Sequence, residues 1–254
     1  MELLEYSLSD NIVAFSTKRG EPYGSYGEFN ITHYCGDAEE HVKHCRVELC
    51  NKLEIGDDAL ILPQQTHESN ILNVDKSFLS LCGEERTQKL YGIDAIVTTL
   101  PRVCIGVSTA DCVPVLLYDE DKGVVAAIHA GWRGTVQRIV EKTINYITTE
   151  LSTLPVNIKA VIAPSISVDA FEIGDEVYEK FNAEGFDMDK IATRRDKWHI
   201  DLWEANRIQL INCGVDLENI YLSGICTYTN HQEFFSARRL GINSGRIFNG
   251  IMIK

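Results

Sequence analysis

The chain has 254 residues, 44% of them hydrophobic and 24% charged, which excludes a disordered or fibrous chain and allows a sizeable buried core. Its 24 lysines and arginines stand against 37 acidic residues, and the net charge of −13 excludes a broad basic face for duplex nucleic acid while leaving room for a local pocket that takes a small anion. No apolar run approaches the roughly 20 residues that span a bilayer, and the acidic start, without a cationic stretch leading into an apolar one, predicts no signal peptide.

In chain order, residues 12–16 read as a short strand and 20–36, with Gly20, Gly24, Gly27 and Gly36, as loop. Asp37 is placed to cap a helix over 38–53, whose Val42, Cys45, Leu49 and Leu53 share one stripe. Short β-branched runs follow at 59–62, 70–74, 95–99, 103–107, 113–118 and 124–128, the last two joined by a hairpin loop at 119–123. A helix is expected from about 135 to 150, capped by Thr135, with Val136, Ile139, Val140, Ile144 and Ile147 at helical spacing. A strand at 156–162, helices near 174–183 and 203–213, a strand at 220–222 and a last strand at 245–253 complete the chain. Strands and helices mixed without strict alternation give an α/β or α+β layered fold. No Pro/Gly/Ser-rich linker divides the chain, so residues 1–254 read as a single domain.

The eight cysteines, at 35, 45, 50, 82, 104, 112, 213 and 226, form no Cys-x-x-Cys, and several sit in apolar runs. That usage predicts reduced, mostly buried thiols and a cytosolic (cytoplasmic) protein rather than a secreted disulfide scaffold.

Chemistry concentrates at His67, Cys112 and His129, each in a compact stretch of turn-type residues at the end of a β-like run. One cysteine and two histidines suit zinc and leave a fourth tetrahedral position open, as catalytic sites do. The spacing matches no common zinc-finger pattern. Each residue also has an ordinary reading as a buried thiol or a satisfied histidine, and Cys112 has a rival role as a nucleophile activated by His129 or His67. Sequence does not separate a thiolate on zinc from a thiolate paired with imidazolium. Asp111 is placed to orient a ligand histidine. In His129-Ala130-Gly131-Trp132-Arg133-Gly134 the glycines permit a tight turn into a helix whose free amides, with Arg133, form a phosphate cradle; the alternative is a strand-to-helix turn with a packing Trp132. Phe234-Phe235-Ser236-Ala237-Arg238-Arg239, followed by Gly245-Arg246, offers aromatics to stack a base and arginines to neutralise an anion, or else core phenylalanines and solvated arginines. Arg46 lies among apolar neighbours and needs either an anionic substrate or a salt bridge. His33, His41, His44, His199 and His231 show no pairing that points to a site.

Together these stretches resemble the YfiH-type laccase-domain family, once called multicopper polyphenol oxidases and also peptidoglycan editing factors. The resemblance runs nearly end to end: Phe29-Asn30, Gly36-Asp37, Arg46, Gln65-Thr66-His67, Asp94-Ala95, Thr109-Ala110-Asp111-Cys112-Val113-Pro114-Val115, His129 to Gly134, Ala163-Pro164-Ser165-Ile166, Phe171-Glu172, Asp201-Leu202, Cys226-Thr227, and Phe234-Phe235-Ser236 with Arg238-Arg239 and Gly245-Arg246. Cys45, Ala163, Ser167 and Glu68 depart from the family's usual Asn, Gly, Gly and Gly. The resemblance implies zinc on His67, Cys112 and His129 and a mixed α/β fold of layered sheets similar to the catalytic domain of cytotoxic necrotizing factor. It implies phosphorolysis of adenosine, inosine, guanosine and methylthioadenosine, with hydrolytic deamination of adenosine. Arg46 and Arg133, then Arg238 and Arg239, would position phosphate, and Trp132 or Phe235 would pack against the purine. Purine nucleosides and phosphate are then the partners, with no nucleic acid or membrane. Three other readings stand beside it. One is a copper-dependent phenol oxidase, weakened by seven histidines and no His-x-His. Another is a metal-free Cys–His hydrolase, including an amidase that edits cell-wall precursors. The last is a binding or scaffold protein with structural zinc, for which no fourth protein ligand is evident.

Overall fold

The computed structural model describes residues 1–21 and 24–254; positions 22 and 23 of the expected 20–36 loop lie outside the described residues. Two mixed sheets lie face to face. The first has five strands in the order Leu3–Glu5, Ile12–Thr17, Ile247–Ile253, Cys104–Thr109 and Leu60–Ile61. The second has six: Ile220–Leu222, Ile158–Ile162, Val113–Asp119, Val124–Ala130, Ala95–Thr98 and Ile71–Val74. Alternation along each strand builds the layers. Leu116, Tyr118, Val125 and Ala127 point from the six-stranded sheet at Ile12, Ile105 and Ile251 of its neighbour, closing an inter-sheet core. Val113, Val115, Leu117, Ala126 and Ile128 point the other way, onto the helices Ile139–Leu151, Asp175–Ala183 and Leu202–Asn212. The helix Glu39–Leu53 covers the outer face of the five-stranded sheet through Cys45, Leu49 and Leu53 against Phe15, Cys104 and Phe248. The result is a helix–sheet–sheet–helix sandwich, the mixed layered fold expected. Among the described residues no helix is long and apolar enough to cross a membrane.

The expected elements appear within a few residues of their ends, with three corrections. Asp37 does not cap the first helix: Ala38 is its N-cap residue, and the Asp37 carboxylate accepts from Asn30 Nδ2 and His41 Nδ1, both at 2.8 Å. The helix expected at 135–150 is two helices, Trp132–Val136 and Ile139–Leu151. Arg138 breaks it in a left-handed conformation, φ 62°, with its guanidinium 3.7 Å from the Phe186 ring centroid and bonded to Glu141 and the Glu184 carbonyl. Thr135 is accordingly a buried residue inside the first short helix, held by Asn206 and Gln209, and the N-cap residue is Gly131. The short helices Lys76–Leu79 and Gly83–Leu90, and a three-stranded sheet of Glu172–Ile173, Trp198–Ile200 and Ala192–Arg194, have no counterpart in the sequence reading. They are too short or too polar to show an apolar period.

Gly106 and Gly250 face each other across paired strands. A methyl on Gly106 would meet the Phe248 ring at 2.3 Å and the Asn249 carbonyl at 2.6 Å; on Gly250 it would meet Phe15 and Phe248 at 2.7 Å. The glycine pair thus gives two fully buried aromatic rings their seat. Gly106→Ala is expected to lower the unfolding free energy by about 1–3 kcal/mol, the usual cost of overpacking, as read by urea denaturation. Gly83→Ala, at a position open to solvent, serves as the control and should change it little.

Candidate metal centre

One of the short links between the two sheets builds the site. Cys104–Thr109 lies in the five-stranded sheet and Val113–Asp119 in the six-stranded one, so residues 110–112 form the crossover between them. Cys112 therefore sits at the open end of the sandwich. His129 is the penultimate residue of the neighbouring strand Val124–Ala130, its Cα paired with that of Pro114. It shares the face of Val125 and Ala127 and so points between the sheets. His67 arrives from the loop after Leu60–Ile61.

These three side chains, far apart in sequence, converge: their donor atoms all lie within 4.8 Å of one another. The His67 and His129 rings meet edge to face with centroids 4.9 Å apart. His129 is buried, Cys112 half-buried and His67 exposed, so the cluster opens to solvent on the His67 side. Gly131 is required beside it, because a Cβ there would stand 3.0 Å from Cys112 Sγ and 3.3 Å from the His67 ring.

Asp94 organises the cluster. Its fully buried carboxylate accepts His129 Nδ1 at 2.7 Å and the amides of Thr66, His67 and Glu68 at 3.2, 3.0 and 2.9 Å. With Nδ1 committed, Nε2 is the His129 nitrogen left for a metal. The three amides curl the loop around one carboxylate and hold His67 in a left-handed conformation, φ 65°. Gln65 ties the loop to the neighbouring strand, accepting from the Ser108 amide at 2.9 Å and donating to its carbonyl at 2.7 Å.

Electrostatics favour the charged forms. Burial pushes the Cys112 thiol pKa up, but the charge of His129 and hydrogen bonds from His129 and His67 outweigh it and bring the pKa below its ordinary value. Burial pushes His129 down, but Cys112 and Asp94 outweigh it and raise the imidazole above its ordinary value. Asp94 is lowered in the same manner, burial being outweighed chiefly by His129.

The remaining candidates divide. Asp111 does not contact a histidine. It adopts φ 87°, accepts Thr227 Oγ1 at 2.8 Å and the Arg238 amide at 2.7 Å, and so anchors the C-terminal loops beside Cys112. The histidine-orienting role expected of it falls to Asp94, which the sequence marked only as part of a family match. Arg46 is held away from the cluster by Asp57 at 2.9 Å and by the Leu60 carbonyl, which makes it an ion pair. Phe235 is buried against Arg19, and its ring fills the space beside Gly27 and Gly245, so it cannot stack on a purine without opening that core. Trp132 is half-buried, with the Arg133 guanidinium 4.3 Å and Lys180 Nζ 5.5 Å from its ring centroid. Arg133, Arg238 and Arg239 are exposed, Arg239 lying over the Tyr228 ring. The five-residue helix Trp132–Val136 is too short to make its N-terminus an anion site on its own.

A sequence model of the family described as multi-copper polyphenol oxidoreductase laccase matches residues 12–254. The chain is 48% identical over 248 residues to a protein named purine nucleoside phosphorylase from Bacteroides thetaiotaomicron, covering 96% of this chain and 92% of that one. It is 43% identical over 260 residues to a protein named adenosine deaminase RL5 from an unknown prokaryotic organism, covering 100% and 99%. The crystal structure of the Bacillus licheniformis hypothetical protein YfiH superposes with a TM-score of 0.92 at 27% identity, covering 99% and 96%.

Two outcomes follow from the geometry. Asp94→Asn turns an acceptor of four hydrogen bonds into a partial donor. It should weaken metal binding by about 10–100-fold in chelator competition. In metal-free protein, Cys112 should alkylate with iodoacetamide at pH values below those needed for an ordinary thiol of pKa about 8.5. The His129→Ala protein should lose that low-pH reactivity.

Proposed function

The chain belongs to the multi-copper polyphenol oxidoreductase laccase family, and on that premise we propose a zinc-dependent enzyme of purine nucleosides. It splits adenosine, inosine, guanosine and methylthioadenosine with inorganic phosphate and deaminates adenosine. The observation that carries this reading is the open cluster of His67, Cys112 and His129 beside solvent. The names of the two relatives supply the substrate class and the two activities.

The donor set fits the metal. One thiolate and two imidazoles within reach of a single ion, with the inner histidine oriented by a carboxylate, suit zinc and leave a position open. Among the described residues this is the one cluster of three or more metal-competent side chains. That argues against a multicopper oxidase, which needs several such centres. When bound, zinc supplies Lewis acidity at the open side of the cluster.

The chain's own residues do the rest. The depressed Cys112 thiol stays deprotonated near neutral pH and is ready to bind a cation. Asp94 holds His129 with Nε2 turned to the cluster. Arg133 is exposed two residues after Gly131, and Arg238 is exposed on the segment whose amide bonds to Asp111; the two draw phosphate toward the nucleoside. Trp132, stiffened by its two cations, presents an aromatic edge for the purine. Arg46, already neutralised by Asp57, takes no part unless that pair opens.

A second reading has one specific observation in its favour. The lowered Cys112 and raised His129 also describe a thiolate–imidazolium pair, the resting state of a metal-free Cys–His hydrolase. Metal quantification by mass spectrometry, followed by incubation of the same sample with adenosine with and without phosphate, separates the two. About one zinc per chain, with adenine and ribose 1-phosphate formed only when phosphate is present, is the expected result. Inosine formed without phosphate reports deamination. Cys112→Ser should lose zinc and lower turnover by more than about a hundredfold, beyond the cost of disturbing a group behind a ligand. A protein without zinc that turns over no nucleoside would sink the proposal and leave the hydrolase.

A further inference from the structure

His199, a histidine without a sequence partner, lines a cavity of about 280 Å³ together with Asp169, Ala170, Glu172, Tyr228 and Arg238. The strand Trp198–Ile200 holds it 7% exposed, with Nδ1 2.8 Å from the Val168 carbonyl. A carbonyl only accepts, so Nδ1 carries the proton, and in the neutral ring Nε2 presents a lone pair. Among the described residues Nε2 has no hydrogen-bond partner, yet it is not one of the sealed-in polar atoms that lack one. A buried histidine with an open nitrogen on a cavity wall is placed to receive a proton donor.

The charges around it are already sorted. Asp169 is paired with Arg195, and Glu172 with Lys197 at 2.7 Å, so each wall carboxylate has its own cation. Arg238 has no carboxylate within ion-pair distance among the described residues. Its Nη1 donates to the Glu172 carbonyl at 3.1 Å, and its guanidinium lies 5.5 Å from the Phe171 ring centroid, which fixes its direction. Tyr228 accepts only a long contact from Arg239 at 3.4 Å, which leaves its hydroxyl proton to give. With Arg195 and Lys197 counted beside the carboxylates they pair, the surroundings sum to one positive charge, and the walls offer two donors, Arg238 and Tyr228, and the imidazole acceptor besides the two paired carboxylates. The Arg238 amide and the Thr227 hydroxyl next to Tyr228 both bond to Asp111, the residue before Cys112, so the segments that carry Arg238 and Tyr228 are tied to the chain at Cys112.

We propose that this cavity binds inorganic phosphate in a protonated form. Its anionic oxygens accept from the Arg238 guanidinium and the Tyr228 hydroxyl, and its P–OH donates to His199 Nε2. As the berth of a co-substrate the site rests on the phosphorolysis reading; as an anion site it stands on the chemistry of its walls. Sulfate has the same shape and charge but no proton to donate at neutral pH, so the acceptor at Nε2 selects against it.

The test is titration calorimetry of the purified, metal-loaded protein with sodium phosphate and, separately, with sodium sulfate. Arg238→Met should weaken phosphate binding by about 10–150-fold and Tyr228→Phe by about 2–10-fold, the effects of losing a charged and a neutral hydrogen bond. Zinc content should be unchanged in both. Sulfate should bind at least several-fold more weakly than phosphate to the wild type. Phosphate binding that is absent from the wild type, or equally tight in both variants as it would be if the metal alone held the ion, overturns the proposal. Sulfate binding as tight as phosphate overturns the role of His199. Phosphate binding lost in Arg238→Met while the wild type performs no phosphorolysis keeps the site and removes the phosphorolysis reading. Phosphorolysis with an unchanged KM for phosphate in both variants does the reverse.

Discussion

One buried carboxylate governs the centre. Asp94 has no exposure, and an ionised carboxylate in such a place costs several kcal/mol unless donors surround it. Four donors do: three consecutive amides and one imidazole. Satisfying that carboxylate forces the 66–68 loop to wrap around it, bends His67 into a left-handed conformation and fixes the His129 ring. Two of the three donor side chains thus take their positions from a single charge that supplies no donor to the cluster itself.

The third donor takes its position from the sandwich. Cys112 closes the crossover between two sheets whose facing sides are packed by Ile105, Leu116, Val125 and Ile251. Neither strand end can move without disturbing that core, so the thiol is held by packing rather than by a flexible loop. Asp111, bonded to Thr227 and to the Arg238 amide, extends the constraint to the C-terminal segment. Gly131 completes it by leaving the space a side chain would take from Cys112 and His67.

Charge is distributed to match. A chain of net charge −13 repels anions at long range. Arg46, Arg194, Arg195 and Arg207 are each paired with a carboxylate. Arg133 and Arg238, which have no such partner among the described residues, lie on the two segments that border the cluster. Guanidinium groups without an ion-pair partner thus lie beside the cluster, while others are tied down away from it.

Most strands and long helices were legible because their apolar residues repeat with the period of the element, as in Val113–Asp119 or Ile139–Leu151. His67, Cys112 and His129 stood out because each follows a strand-like run with turn residues. Local pattern does not carry what depends on contact across the chain. Nothing near Asp111 shows that its carboxylate faces Thr227 and not a histidine. Nothing near Phe235 shows that Gly27 and Gly245 make room to bury it. The break at Arg138 depends on Phe186 and Glu184, more than forty residues away. A layered mixed fold and three candidate donors could be read from the chain alone, since periodicity and residue chemistry are local properties. That Asp94 orients the two histidines, that Arg46 is neutralised and that His199 opens onto a cavity with Arg238 came only from the folded chain, because buried charges and polar atoms are partnered by whatever the fold brings within hydrogen-bond distance.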